Sequence, residues 1–227
     1  MLPKVIIYNA VSLDGRINGF IEDKELYYKL ASKWDIDAVL MGSNTILKVF
    51  NAESGELREE GDFKTSEVVE NDSRPLLVIP DSGGRIRIWN EVFEMPFIRD
   101  ILVLCSRSTP QEYLNFLEER FIKYMVIGYD KVNLGTALEE LNIQFGVKSI
   151  RVDGGGVLNG ALLMEDLVDE ICLLIHPTIV GGISTNTIYT ASDLTSTKEI
   201  LDLKLLKMEK LKNEIIMLHY RIMKYKF

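Results

Sequence analysis

The sequence predicts an α/β fold with a mixed, mostly parallel central sheet, helices on both faces of that sheet and a C-terminal antiparallel hairpin. Two observations lead to this fold class. Short apolar runs typical of buried strands alternate along the chain with helical segments. The last two strand-like segments alternate more loosely, as the strands of a hairpin do. The 227 residues suit one domain over residues 1–227.

Compact apolar segments predict the strands of the parallel part. Val5–Val11 is a β-branched run, which is the pattern of a strand buried on both faces. The segments that follow have the same character. The predicted strands are Val5–Val11, Ala38–Met41, Leu76–Ile79, Ile101–Cys105, Tyr124–Ile127, Ser149–Val152 and Glu170–His176, followed by the hairpin strands Leu203–Leu211 and Ile215–Met223 joined at Lys212-Asn213.

Capping residues mark the helices between these strands. Asp23 caps a helix that runs to about Trp34. Thr109-Pro110-Gln111-Glu112 is a capping box with proline at the first helical position, and it predicts a helix to about Arg120. The other helices are predicted at Ile46–Phe50, Thr136–Phe145, which stops at Gly146, and Val157–Met164.

Composition excludes several classes of protein. Acidic residues outnumber basic ones by 34 to 26, and a net charge of −8 argues against a non-specific nucleic-acid binder. Two cysteines exclude a disulfide framework and suit a reducing cytoplasm. No apolar stretch reaches the roughly 18 residues of a membrane helix, and no signal peptide is recognisable at the start. We therefore expect a cytoplasmic protein without a membrane segment.

The glycine-rich segment Ser149–Gly160 carries the most information about a ligand. A buried strand ends at Asp153, three glycines follow, and a helix begins. The helix N-terminus offers free N–H groups and a positive dipole end to a phosphate. The spacing is not the usual dinucleotide fingerprint, because Asn159 stands where its third glycine belongs. A tight strand-to-helix turn without a ligand is the alternative.

Two further turns follow parallel strands and suit phosphate groups. In Gly42-Ser43-Asn44-Thr45 the Thr45 hydroxyl and the helix amides are candidate donors, and ordinary capping by Ser43 or Asn44 is the alternative. In Ser106-Arg107-Ser108 two hydroxyls flank a guanidinium, which suits a phosphate monoester such as the 2′-phosphate of NADP. A solvated loop is the alternative there. Ligands of open α/β sheets bind at the carboxyl ends of strands, so we expect these turns to converge.

Other chemistries lack support in the sequence. Two histidines and two cysteines without CxxC or HExxH spacing argue against a zinc site, and no metal is expected. His176 precedes Pro177 and is predicted to be a satisfied core or turn histidine. The sequence has no nucleophile elbow and no P-loop. The polar interval Asn51–Arg74 predicts an insertion within the domain or, alternatively, a linker.

Four blocks of the sequence stand out together: Ser12–Ile17, Asp37–Thr45, Val152–Gly160 and Leu167–Gly182. They resemble the dihydrofolate-reductase-like family, and the last two blocks are the most specific. The resemblance is to the family's branch in riboflavin biosynthesis, which comprises the C-terminal reductase domain of the bifunctional deaminase/reductase and its stand-alone archaeal relatives.

The resemblance implies NADPH as the cofactor. It implies a cis Gly154–Gly155 bond, since dihydrofolate reductases carry a cis Gly–Gly bond at this place. It places the Ser12–Ile17 block beside the nicotinamide. The cofactor-binding residues implied are Gly42, Thr45, Ser106, Arg107, Gly154, Gly155, Gly156 and Val157.

The resemblance also implies an oxidoreductase reaction. Such enzymes reduce the ribosylamino side chain of a pyrimidine 5′-phosphate to ribitylamino by hydride transfer to C1′, and they are homodimers. Asp153 and Asp14 are the catalytic residues implied, although Asp153 is alternatively a carboxylate that only favours the helix dipole. The Asp-Asp-Pro motif usual in this branch is absent after Thr45. Alternatives are therefore a related reductase of another heterocycle or carbonyl, and an inactive nucleotide-binding module.

Overall fold

Nine strands and six α-helices occur in the part of the chain that the computed structural model describes, which is residues 1–52, 72–183, 186–192 and 200–224. The strands are β1 Lys4–Ser12, β2 Ala38–Leu40, β3 Leu76–Pro80, β4 Asp100–Cys105, β5 Lys123–Val126, β6 Ser149–Val152, β7 Glu170–His176, β8 Leu203–Lys210 and β9 Ile216–Ile222. The helices are α1 Lys24–Ala31, α2 Ser43–Val49, α3 Trp89–Phe93, α4 Gln111–Glu119, α5 Leu134–Phe145 and α6 Gly156–Met164.

The chain divides into two compact units. Unit 1 comprises Met1–Pro3 and Ile36–Ile150, and unit 2 comprises Lys4–Asp35 and Arg151–Phe227. The division falls within β6. That the whole chain acts as one domain stays a prediction.

Unit 1 is built on parallel strands in the order β5-β4-β3-β2. Its core joins strand residues such as Leu77 and Val103 to Trp89 of α3 and Tyr113 of α4, all of them fully buried. The carboxyl ends of parallel strands lie at one edge of a sheet. The turns after these four strands therefore share an edge, which we call the unit 1 rim and define as residues 41–45, 81–85, 105–109 and 127–131.

Unit 2 contains the parallel pair of β1 and β7, followed by the antiparallel strands β9 and β8. Its core packs Tyr8 of β1, Cys172 of β7 and Met217 of β9 against Leu26 and Ala31 of α1. The predicted hairpin is confirmed, and Asn213 in its connection takes a positive φ of 57°.

The predicted fold class is confirmed: an α/β fold with a mixed, mostly parallel sheet and a C-terminal antiparallel hairpin. The predicted strands agree with the observed ones to within one or two residues. Sequence reasoning missed α3, because a helix of five residues without a side-chain cap shows too little periodicity to recognise. Most of the predicted insertion Asn51–Arg74 lies outside the described residues.

Three helix predictions needed correction. Helix α2 begins at Ser43, three residues before the predicted start at Ile46, because extended Gly42 is its N-cap. Helix α1 is capped by Asp23 as predicted but ends at Ala31, because Lys33 and Trp34 turn back to carbonyls three residues earlier. The capping box before α4 is wrong. The Thr109 hydroxyl donates to the Ser82 carbonyl at 2.9 Å and accepts from the Ser106 N–H at 2.9 Å, so it is not available to cap the helix. Among the described helices, none is long and apolar enough to span a bilayer.

Candidate active site

The first turn of the unit 1 rim joins β2 to α2. Gly42 is the N-cap of α2 in an extended conformation, and no side chain caps the helix. Ser43 Oγ and Asn44 Oδ1 instead accept hydrogen bonds from Arg85 Nη2 at 2.9 and 2.6 Å. Capping by Ser43 or Asn44, the alternative function for this turn, is therefore wrong. Thr45 lies in the first turn of the helix.

Arg85 is a site residue that sequence reasoning missed. The turn after β3 positions it, because the buried Asp81 carboxylate accepts from the backbone N–H groups of Arg85 and Ile86 at 2.8 and 3.0 Å. Its half-exposed guanidinium then reaches Ser43 and Asn44 of the neighbouring turn. The signal was present in the sequence. Asp81–Arg85 is a Gly-rich turn directly after a buried strand, like the turns that were recognised.

The turn after β4 presents Arg107 and withdraws Ser106. Arg107 is exposed, and its guanidinium lies 4.5 Å from the ring centroid of Tyr129. Ser106 is fully buried and hydrogen-bonded within the rim, and Ser108 Oγ donates to the Asp130 carbonyl at 2.8 Å. Of the three residues in this turn, Arg107 is therefore the one whose polar group is most open to a ligand.

The glycine turn lies in unit 2 and has the predicted strand–turn–helix form. Gly155 is the N-cap of α6 with an extended backbone and no side-chain cap, so the first amides of the helix lack the usual side-chain acceptor. Val157 follows and is 63% exposed. The peptide bonds among the described residues are all trans. The cis Gly154–Gly155 bond implied by the resemblance is therefore absent, and extended Gly155 starts the helix without it.

Two of the glycines in this region permit a close approach of backbone. A Cβ on Gly156 would lie 2.2 Å from the Thr187 carbonyl oxygen, and one on Gly160 would lie 2.2 Å from that of Thr190. The Thr190 N–H also donates to the Gly156 carbonyl at 2.9 Å. Segment 186–190 thus packs directly on the start of α6, and no side chain at Gly156 or Gly160 fits between them.

Asp153 is held by a buried ion pair. Both of its carboxylate oxygens accept from Arg151, at 2.7 and 2.8 Å, and both side chains are 6% exposed. Arg151 also donates to the Ala31 carbonyl at the end of α1 at 2.9 Å. Burial lowers the pKa of Arg151, but the Asp153 carboxylate outweighs this, and the net shift is upward. The pair therefore links the start of the glycine turn to α1.

Asp14 organises the loop after β1. Its carboxylate accepts from Ser12 Oγ at 2.6 Å and from the N–H groups of Val180 and Gly181 at 3.1 and 2.7 Å. These hydrogen bonds, that of Ser12 first, hold the pKa of Asp14 well below its ordinary value. A carboxyl group that stays ionised at neutral pH cannot donate a proton there, so the geometry favours an organising role.

His176, the last residue of β7, fits its prediction as a satisfied core or turn histidine. It is buried, its Nε2 accepts from the Asp23 N–H at 3.3 Å, and its Nδ1 lies 3.1 Å from the Leu174 carbonyl. With both ring nitrogens engaged, the side chain fixes the start of α1 and is not free to act as a base.

The structure brings the predicted residues together in two groups. Gly42, Thr45, Ser106 and Arg107 belong to the unit 1 rim, where the Thr109–Ser82 hydrogen bond links neighbouring turns. Asp14, Asp153 and Gly154 to Val157 belong to unit 2. In unit 2, segment 186–190 connects the loop after β1 to the start of α6. The Ile188 N–H donates to the Gly15 carbonyl, and the Thr190 N–H donates to the Gly156 carbonyl.

A comparison with protein-family profiles identifies the family of this chain. The profile of the RibD C-terminal domain family matches residues 3–217. The chain belongs to this family. The match covers both units and every candidate residue described above.

Named relatives of this RibD C-terminal domain are reductases. The chain is 29% identical over 205 residues to the 2,5-diamino-6-ribosylamino-4(3H)-pyrimidinone 5′-phosphate reductase of Archaeoglobus fulgidus, covering 83% of this chain and 86% of that protein. It is 28% identical over 226 residues to the enzyme of the same name from Methanothermobacter thermautotrophicus, covering 95% and 97%.

Solved structures share the fold. A pyrimidine reductase-like protein of Corynebacterium diphtheriae superposes with a TM-score of 0.74 at 18% identity, covering 98% of this chain and 93% of that one. The riboflavin biosynthesis reductase Rib7 of Saccharomyces cerevisiae superposes with a TM-score of 0.63 at 22% identity, covering 98% and 90%.

Proposed function

We propose that this protein is an NADPH-dependent reductase of riboflavin biosynthesis, which reduces the ribosylamino side chain of a pyrimidine 5′-phosphate to ribitylamino. The observation that carries the proposal is the family match over residues 3–217, together with relatives of nearly the same length that bear the name of this reductase. Oxidation of NADPH by the purified protein in the presence of the ribosylaminopyrimidine phosphate tests it.

The residues present fit a phosphate-rich nicotinamide cofactor. In unit 2 the start of α6 has no side-chain cap, and the positive end of its dipole lies at the glycine turn. In unit 1 the rim carries the guanidinium groups of Arg85 and Arg107. When bound, the reduced nicotinamide supplies a hydride to C1′ of the ring-opened, imine-like substrate, and the protein supplies orientation and electrostatics.

We assign the cofactor contacts as follows. The α6 amides at Gly156 and Val157, with Gly154 and Gly155, bind the pyrophosphate. Gly42 and Thr45 bind a phosphate oxygen. Arg107 faces the 2′-phosphate, and buried Ser106 supports the turn that presents Arg107. Arg85 adds a second cation to the rim.

Asp14 and Asp153 stay candidates for a role in catalysis. Each carboxylate is already engaged, Asp153 by Arg151 and Asp14 by Ser12 and the 180–181 turn. We therefore infer that both are positioning residues. Asp153 holds the start of the glycine turn, and Asp14 holds the loop of the Ser12–Ile17 block.

Arg107→Ala should remove the preference for NADPH over NADH. We expect the wild-type protein to bind NADPH at least about tenfold more tightly than NADH. A tenfold difference in affinity corresponds to about 1.4 kcal/mol, and one charge-assisted hydrogen bond from Arg107 to the 2′-phosphate provides more than that. Fluorescence titration with both cofactors measures the ratio. Arg120→Ala is the control, because Arg120 also stacks on an aromatic ring, that of Phe116 at 3.8 Å. Equal affinities in the wild type contradict the role of Arg107.

We also propose a homodimer formed through the hairpin. Leu203, Leu205 and Met208 of β8 are 44%, 48% and 68% exposed. They lie opposite Ile222, Tyr220 and Leu218 of β9, so the hairpin has an apolar face. In the described part of the chain, β8 pairs only with β9 and leaves its other edge open. An antiparallel pairing of two copies centred between residues 206 and 207 sets Leu205 opposite Met208 and Lys204 opposite Glu209.

Met208→Lys should dissociate this dimer, because it places a charge in the apolar face and opposite Leu205 of the second copy. Sedimentation equilibrium measures the mass. Ile143→Lys is the control, since Ile143 is equally exposed, at 69%, but lies on α5 of unit 1. A wild-type protein that sediments as a monomer at every concentration rejects the dimer, and a Met208→Lys dimer rejects this surface.

The cysteines agree with a reducing compartment. Cys105 and Cys172 are both free and buried, as expected where disulfides do not persist. We propose that the protein acts in the cytoplasm.

A further inference from the structure

An asparagine pair beneath the glycine turn has no place in the function described so far. Asn159 of α6 is fully buried and Asn9 of β1 is 9% exposed. Burying a side-chain amide is costly unless it is hydrogen-bonded. Leucines at 158 and 162 show that this helix otherwise uses apolar side chains in its buried positions. The two amides therefore require an explanation beyond packing.

The two amides form a directed chain of hydrogen bonds. Asn159 Nδ2 donates to Asn9 Oδ1 at 2.9 Å and to the Ile188 carbonyl at 3.0 Å. Asn9 Nδ2 donates to the Gly154 carbonyl at 2.9 Å. Because the oxygen of Asn9 is taken by Asn159, its nitrogen must face Gly154. Asn159 thus determines which end of the Asn9 amide meets the glycine turn.

This chain fixes the direction of one N–H group. The C=O and N–H of a trans peptide point in opposite directions, and the Gly154–Gly155 bond is trans. Holding the Gly154 carbonyl on Asn9 therefore directs the Gly155 N–H away from Asn9, on the opposite side of the turn. A Cβ at position 154 would lie 3.0 Å from Asn159 Oδ1, so a side chain there would press on the Asn159 amide.

We propose that Asn9 and Asn159 are positioning residues for the cofactor: they hold the Gly154–Gly155 peptide in the orientation in which the Gly155 N–H faces the pyrophosphate. The inference rests on the proposed function, since it takes the glycine turn to be the pyrophosphate site. Its physical basis, a peptide held by a buried amide, exists without the cofactor and is measured separately.

Asn9→Asp tests the orientation with an isosteric change. An ionised carboxylate at position 9 sets an oxygen against the Gly154 carbonyl, so the peptide turns away and NADPH affinity falls by at least about tenfold at neutral pH. Protonation restores a donor, so the loss shrinks as the pH falls. Asn142→Asp is the matched control, because Asn142 Nδ2 also donates to a backbone carbonyl, that of Val147 at 2.9 Å in unit 1. We expect it to leave the affinity and its pH profile unchanged.

Asn159→Leu and hydrogen exchange keep the proposal testable if the first variant folds poorly. In the free protein we expect Asn159→Leu to accelerate exchange of the amides at positions 159 and 190, which donate to the Gly155 and Gly156 carbonyls, while Asn142→Leu leaves both protected. Lowered melting temperature with unchanged exchange and unchanged NADPH affinity overturns the proposal. Failure of the wild type to bind NADPH overturns the proposed function instead, and faster exchange in Asn159→Leu then still supports the peptide-holding role.

Discussion

Asp153→Ala should lower the free energy of unfolding by about 3–5 kcal/mol, the usual cost of leaving one member of a buried ion pair without its partner. Arg151 keeps only its hydrogen bond to the Ala31 carbonyl in this variant, and its side chain is 6% exposed. An uncompensated guanidinium is then buried beneath α1 and the glycine turn. Urea denaturation of both proteins measures the difference.

Two further variants isolate the ion pair as the cause. Arg151→Met combined with Asp153→Leu removes both charges, and we expect it to recover most of the lost stability. Lys123→Ala removes half of an exposed pair, Lys123 Nζ to Asp100 at 2.6 Å, and should cost no more than about 1 kcal/mol. A loss below about 1 kcal/mol for Asp153→Ala would mean that water reaches the pair and that Asp153 is free for another role.

Gly156→Val should weaken NADPH binding by at least about tenfold, which corresponds to a loss of about 1.4 kcal/mol in binding free energy. Its Cβ would lie 2.2 Å from the Thr187 carbonyl oxygen and 2.7 Å from Thr190 Oγ1. The start of α6 or segment 186–190 must therefore move, and the amides proposed to hold the pyrophosphate lose their direction. Fluorescence titration with NADPH measures the loss.

Leu162→Ala separates loss of the turn from loss of stability. Leu162 is fully buried in the same helix, so truncation costs about 2–5 kcal/mol without adding atoms near the turn. We expect this variant to bind NADPH as the wild type does at temperatures where both are folded. Gly156→Val that binds normally would mean that the glycine turn is only a structural connection.

The fold was largely predictable because its strands are local apolar runs and because helices α1 and α5 carry local caps. Asp23 and Gly146 terminate helices as predicted, since capping depends on neighbouring residues alone. Thr109 shows the limit of that reasoning. Its hydroxyl was predicted to cap the helix that follows, but it donates instead to the Ser82 carbonyl, 27 positions away.

The candidate site was predictable as a set of turns and not as a set of contacts. Glycine, serine and arginine after buried strands identified the turns themselves. Asp153 is paired with Arg151, and Asp14 accepts hydrogen bonds from the 180–181 turn. The periodicity of a sequence gives no information on such side-chain contacts. The turn that carries Arg85 was recognisable, but its contacts with Ser43 and Asn44, 42 and 41 positions away, were not.

The most direct test of the central claim is to incubate the purified protein with the ribosylaminopyrimidine 5′-phosphate and NADPH, following both cofactor oxidation and the ribitylamino product. We expect one product molecule for each NADPH consumed, and little turnover with NADH. Absence of the ribitylamino product, while NADPH binds and is oxidised with a different carbonyl compound or heterocycle, would contradict the assignment of the substrate.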